Sequence, residues 1–204
     1  MLGSCRNTMR IATEEDLSEF KREAFRNSVR LFRDACLLFE KSRYPTAYSI
    51  GILSYEELGK THAIDRACDL MCLNPESREQ IYKDYVEGTL LYDHRYKQRR
   101  ANADTVMFFE REVSAKSHFI QNGGLEVEKH KGFYVEFVNR KLDLPSRITK
   151  EKAFDLLKYV LNATEKSGDI GFNGFACIST AQSESQAKEL LEQAKEAFLH
   201  CNIP

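Results

Sequence analysis

Residues 44–60 read YPTAYSIGILSYEELGK, and this stretch decides how the rest of the chain is arranged. It carries no charge before Glu56; Glu56, Glu57 and Lys60 then arrive together. Pro45 suits a first helical turn, where its missing N–H costs nothing. At about 100° per residue, Ala47, Gly51, Ser54 and Leu58 fall on one side of a helix, and Tyr48, Ile52 and Tyr55 on a second. Ile50 and Leu53 lie on a third, together with Glu56, Glu57 and Lys60. No side is purely polar, which predicts a central, buried helix. Gly51 and Ser54 allow a neighbouring helix to come close. Charges on a buried helix need partners, because unpaired burial is costly. Glu56 and Lys60 stand four residues apart, the spacing at which they pair with each other. The alternative is an ionic cluster that positions something else.

On the N-terminal side, Thr13 and Asp16 form a capping signal. Leu17, Phe20, Ala24, Leu31, Phe32, Ala35 and Phe39 follow at helical spacing, predicting a long amphipathic helix to about Lys41 and a turn at Ser42-Arg43-Tyr44. On the C-terminal side the central helix extends through Ala63, Ala67 and Leu70 to Leu73, and Asn74-Pro75 breaks it. A third helix is expected from near Glu76 through Ile81, Tyr82, Tyr85, Val86, Leu90 and Leu91 to His94 and Lys97. Asn102 and Ala103 loosen that pattern. A fourth helix is expected over Thr105 to Phe119, stopped by Asn122-Gly123-Gly124. Helices of this length make a four-helix bundle.

The segments at 125–128 and 133–138 are β-prone and predict a short hairpin or extended flap around His130-Lys131-Gly132. Pro145 and Thr149 introduce a helix over 150–166. Gly168, Gly171 and Gly174 mark a turned loop. Ser183 to Cys201 reads as a last helix with Ala187, Leu190, Leu191, Ala194 and Phe198 on one stripe. The expected fold is therefore mainly α. A loose tail covers 1–12, a helical bundle 13–122, and an extension with a hairpin-like segment and two helices packed on the bundle 123–204.

The 204 residues suffice to bury a real core. With 30% charged and 42% apolar residues the composition is that of a globular protein. A net charge of −1 provides no global field toward nucleic acid or membrane, so any RNA contact has to come from a local patch. The uncharged run 44–55 is far shorter than the roughly 20 residues that span a bilayer. The first ten residues, MLGSCRNTMR, have no signal-peptide apolar core, and the expected location is the cytoplasm. The six cysteines are scattered without a CxxC, which reads as buried small hydrophobes or free thiols rather than zinc ligands. None of the five histidines follows a Glu by three residues, against a di-iron bundle. No metal and no cofactor is expected, and no DNA-specific motif occurs.

The run from Ala35-Cys36-Leu37-Leu38 through Tyr44 and Ala47 to Glu56–Lys60 resembles the AbiV family of bacterial abortive-infection proteins. Asp93-His94-Arg95-Tyr96-Lys97 is similar to that family's HxxK segment, and Gly132-Phe133-Tyr134-Val135 followed by Pro145 is a weaker third match. The resemblance covers roughly residues 20–150. It implies an HEPN-like bundle, since the family belongs to the HEPN superfamily of helical domains, many of which are metal-independent ribonucleases. It also implies a homodimer whose motifs face each other across a cleft, an RNA substrate (tRNA, rRNA or mRNA), and a phage-encoded protein as trigger.

Two histidines stand beside basic residues. His94 opens the most basic stretch, HRYKQRR, with Arg95, Lys97, Arg99 and Arg100. On a helix Lys97 lies one turn from His94, so that both face one phosphate; a solvated basic face is the plainer reading of the same run. Arg111 precedes His118 by the Arg-x(4–6)-His spacing of HEPN nucleases. Glu112 departs from the residue usual after that arginine. In a straight helix the pair shares a face about 10 Å apart. RNA is cut without metal when its own 2′-OH attacks the adjacent phosphorus. Histidine moves protons near neutral pH, and arginine clamps phosphate oxygens. The site expected from this reading has His118, Arg111 and His94 as catalytic groups. Lys97, Arg95, Arg99 and Arg100 hold phosphate, and Glu56, Glu57 and Lys60 fix the geometry. The alternatives are a non-catalytic helical module that blocks host or phage machinery by contact, and an antitoxin-like scaffold in which the EELGK cluster is purely structural.

Overall fold

Thr13 starts the first helix with a reciprocal cap: its Oγ1 accepts from the Asp16 N–H at 3.2 Å, and its own N–H donates to the Asp16 carboxylate at 2.7 Å. The computed structural model describes residues 13–84, 86, 93–106, 119–120, 122–133, 136–138, 141–143, 147–171 and 181–201. Within these, α1 spans Glu14–Glu40 and α2 spans Tyr44–Leu73. A 3₁₀ turn at Pro75–Ser77 leads into the short α3, Arg78–Ile81. Then come α4 (His94–Val106), α5 (Gly124–Phe133), α6 (Lys150–Gly171) and α7 (Ala181–Leu199). Two three-residue strands, Glu136–Val138 and Lys141–Asp143, pair antiparallel with Phe137 opposite Leu142. The fold is a mainly α, HEPN-like bundle.

The central helix is α2, and its lack of a polar side now has a cause: α1, α4, α5 and α6 all pack on it. Each neighbour is seated at a small residue of α2. At Ser54, α1 comes close enough for a reciprocal exchange, Ser28 Oγ donating to the Ser54 carbonyl at 2.9 Å and Ser54 Oγ to the Ser28 carbonyl at 2.8 Å. The side chains of Leu156 and Leu157 on α6 lie over Gly51. Ser49 Oγ donates to the Lys129 carbonyl of α5 at 2.8 Å. At Gly59 the backbone of α4 passes so near that a Cβ would stand 1.9 Å from the Lys97 carbonyl oxygen. One apolar core joins Phe32, Ile52 and Leu58 to Leu125, Leu157, Val160 and Ala194, drawing residues from both sides of position 122. Each such fully buried large side chain is worth about 1.5–3 kcal/mol over its exposed state. No helix among the described residues is long and apolar enough to cross a membrane.

Four expectations need correction. The helix expected to run unbroken through His94 instead has a fresh start there, because the Asp93 side chain accepts from the Tyr96 N–H at 3.0 Å and caps α4. That helix passes through Asn102 and Ala103 without interruption, and most of the separate helix expected over 105–119 lies outside the described residues. Leu125 to Glu128, read as β-prone, is helical. Gly123, at φ +76°, turns the chain in the left-handed region, after which buried Leu125, Glu128, Lys129 and Gly132 hold α5 against the bundle. The hairpin therefore follows α5 rather than surrounding His130. Finally, α6 continues through Gly168 to Gly171, past the expected loop start.

Candidate active site

Glu56 is the centre of the site. Its side chain is 4% exposed on α2, and both carboxylate oxygens are engaged. Oε1 accepts from Gln98 Nε2 at 2.7 Å and from Lys129 Nζ at 2.9 Å; Oε2 accepts from His94 Nδ1 at 2.7 Å. The expected Glu56–Lys60 pair does not form. Lys60 donates instead to Glu57 at 2.5 Å, at the half-buried edge of the cluster. Both Glu56 oxygens are already taken by Gln98, Lys129 and His94 from α4 and α5, which leaves Lys60 to Glu57.

Two helices, α4 and α5, supply the partners. On α4, His94, Lys97, Gln98 and Ala101 repeat at the three- and four-residue steps that put side chains on one face, and that face meets α2. On α5, Glu126, Lys129 and His130 have the same spacing. Lys129 Nζ, 8% exposed, bridges Glu56 and Glu126, reaching Glu126 Oε2 at 2.7 Å. His130 Nε2 donates to Glu126 Oε1 at 3.0 Å. Burial works to raise the Glu126 carboxyl, but hydrogen bonds from Lys129 and His130 outweigh it and hold the group below its ordinary value. Burial likewise works to lower the Lys129 ammonium, and its bonds to Glu126 and Glu56 raise it above the usual lysine range.

This wiring sets the state of His94. A carboxylate already holding an ammonium and an amide accepts only, so the ring proton sits on Nδ1 and neutral His94 carries its lone pair on Nε2. The His94 side chain is 47% exposed, which leaves the ring within reach of a ligand while its other edge is clamped by a buried anion. Glu56, His94 and Glu126 also bring one ligand atom each within 4.8 Å of one another. The Lys129 ammonium already bridges the two carboxylates of that set.

The basic run does not form one solvated face. Arg95 and Arg99 are exposed, Arg100 is partly covered, and Lys97 is buried beside Glu56 and Lys60. Burial first, then the charge on Lys60, lowers the Lys97 ammonium. At 4% exposure Lys97 does not offer its charge to solvent in this conformation. Arg111 and His118 lie outside the described residues.

Glu126, Lys129, His130 and Gln98 belong to the site although sequence reasoning passed over them. The signal was present: Glu126-x-x-Lys129-His130 is a helical i, i+3, i+4 constellation, hidden by reading its first half as strand. His62 plays a different part. Ser167 Oγ donates to the Ala163 carbonyl, so buried His62 gives its Nε2 proton to that hydroxyl at 2.8 Å, tying α2 to α6.

No match is found among curated proteins or among solved structures. The HEPN_AbiV family model, described as AbiV, matches residues 16–164, a span from α1 through the EELGK cluster, His94 and α5 into α6. The chain belongs to the HEPN_AbiV family of abortive-infection HEPN proteins.

Proposed function

We propose that this protein is an antiphage effector that cleaves RNA without a metal ion, and that His94 accepts the 2′-hydroxyl proton. The observation that carries the reading is the half-exposed His94 ring held through Nδ1 by buried Glu56. A histidine so oriented presents its Nε2 lone pair as the base, and the carboxylate stabilises the imidazolium that forms. Arg95 and Arg99, exposed on the same helix, are the groups that hold phosphate. Lys97, Lys60 and Glu57 set the field beneath them. Arg111 and His118 remain the family-type pair in this proposal, and a homodimer would bring a second copy of each motif to the cleft. A phage component releases the activity during infection.

Incubating the purified protein with total RNA, with and without EDTA, and with and without extract of phage-infected cells as the trigger, tests the reading. Cleavage that survives EDTA and falls about 10²–10⁴-fold in folded His94→Ala is expected. Full antiphage activity in His94→Ala/His118→Ala would end it. That outcome would leave a module that acts by contact, because contact needs a surface and no proton carrier.

A further inference from the structure

We propose that His130 is the second proton carrier of this site, donating to the leaving oxygen within the same protomer. The inference rests on the ribonuclease reading of His94 and adds the acid that this reaction requires. His94 and His130 come from different helices, α4 and α5, yet hang on one bridged carboxylate pair. His94 is on Glu56, His130 is on Glu126, and Lys129 donates to both acids at 2.9 and 2.7 Å. Their exposures are nearly equal, 47% and 48%, whereas the acids and the lysine beneath them are largely covered. A ligand atom of His94 lies within 4.8 Å of Glu126, the same carboxyl that holds His130. Two half-exposed imidazoles, each held by one of two carboxylates that Lys129 bridges, supply the pair of proton carriers that a two-histidine phosphoryl transfer uses.

The step balances within the RNA. The 2′-oxygen gives its proton to His94 and bonds to phosphorus. The bond from phosphorus to the 5′-oxygen breaks, and that oxygen takes a proton from the His130 imidazolium. The products are a 2′,3′-cyclic phosphate and a 5′-hydroxyl, with no oxidant, water or metal consumed.

A leaving-group substitution tests this. The cleavage site is mapped on total RNA, and an oligonucleotide is made with the bridging 5′-oxygen of that linkage replaced by sulphur. A thiolate leaves without protonation, its conjugate thiol having a pKa of about 8.5. Folded His130→Ala should lose about 10²–10⁴-fold on the oxygen linkage and recover near the wild-type rate on the sulphur linkage. His94→Ala should stay slow on both. His130→Gln keeps a donor to Glu126 without an ionisable ring and reports the chemistry if the alanine variant misfolds. Wild-type rates for both His130 variants on the oxygen linkage would overturn the inference while leaving His94 in place. Equal losses on both linkages would make His130 a positioning residue and overturn it too. If wild-type protein cleaves no RNA with or without extract of phage-infected cells, the ribonuclease reading itself fails and carries this inference with it.

Discussion

Glu56 concentrates the energetics of the site in one side chain. Removing it strands a buried ammonium, an amide and an imidazole, so Glu56→Ala should cost about 3–5 kcal/mol, as breaking a buried ion pair does. Lys60→Ala removes a partner from an intrahelical pair whose side chains are 21% and 18% exposed. Pairs of that kind contribute only about 0.3–0.5 kcal/mol, and the loss should be correspondingly small. Urea denaturation of the two variants separates these values; equal losses would show that the EELGK charges act as one unit. The contrast matters for function, because Glu56 also sets the tautomer of His94, and Lys60 touches neither histidine.

At the scale of helices, the glycines of α2 report how closely its neighbours approach. At Gly51 an added Cβ meets the ends of Leu157 and Leu156 side chains at 3.2 and 3.3 Å, which can shift. Replacing Gly by Ala inside a helix also gains about 1 kcal/mol of intrinsic propensity, so Gly51→Ala should be close to neutral. At Gly59 the obstacle is the backbone of α4, with the Lys97 carbonyl oxygen 1.9 Å from the new Cβ. Backbone yields only if the helices separate, and overpacking of this kind costs about 1–3 kcal/mol or more. Melting of Gly59→Ala should fall by roughly 2–4 °C for each kcal/mol lost. Activity should fall as well, since moving α4 carries His94 away from Glu56. A Gly59→Ala protein that melts like wild type would refute the close crossing of α2 and α4.

Across the whole molecule, pH should act through the same ionic layer. Glu126 and Glu128 both lie below the ordinary 4.5, burial being outweighed at Glu128 by hydrogen bonds from Lys152 and Lys131. Groups whose folded pKa is depressed stabilise the fold above their unfolded value and lose that contribution as pH falls through the folded one. Lys129 lies above the ordinary 10.5, so its contribution is complete below that value and is lost as pH rises through the folded one. Stability from these three groups should therefore hold near neutrality and decline below about pH 4.5. In Glu126→Gln/Glu128→Gln the acid decline should be shallower, measured as urea midpoint against pH. An unchanged acid limb would place the acid sensitivity elsewhere.

Much of the bundle is legible in local sequence. The Thr13 cap, the Asn74-Pro75 break and the two-sided burial of α2 are written in spacing and punctuation, since helix formation and capping depend on residues a few positions apart. The small residues of α2 likewise announce close neighbours without saying which. Local reading fails at 125–128, where β-prone composition hides a helix because packing on α2 outweighs propensity. It fails again for the partner of Glu56. Lys60, four residues away, is the natural candidate, whereas the actual partner is Lys129, 73 residues away. Local patterning therefore settled the central helix, its charged end and the family. Only the tertiary structure decided that His94 leans on Glu56 and His130 on Glu126, because a buried charge takes whichever partner the crossing of α2, α4 and α5 brings to it.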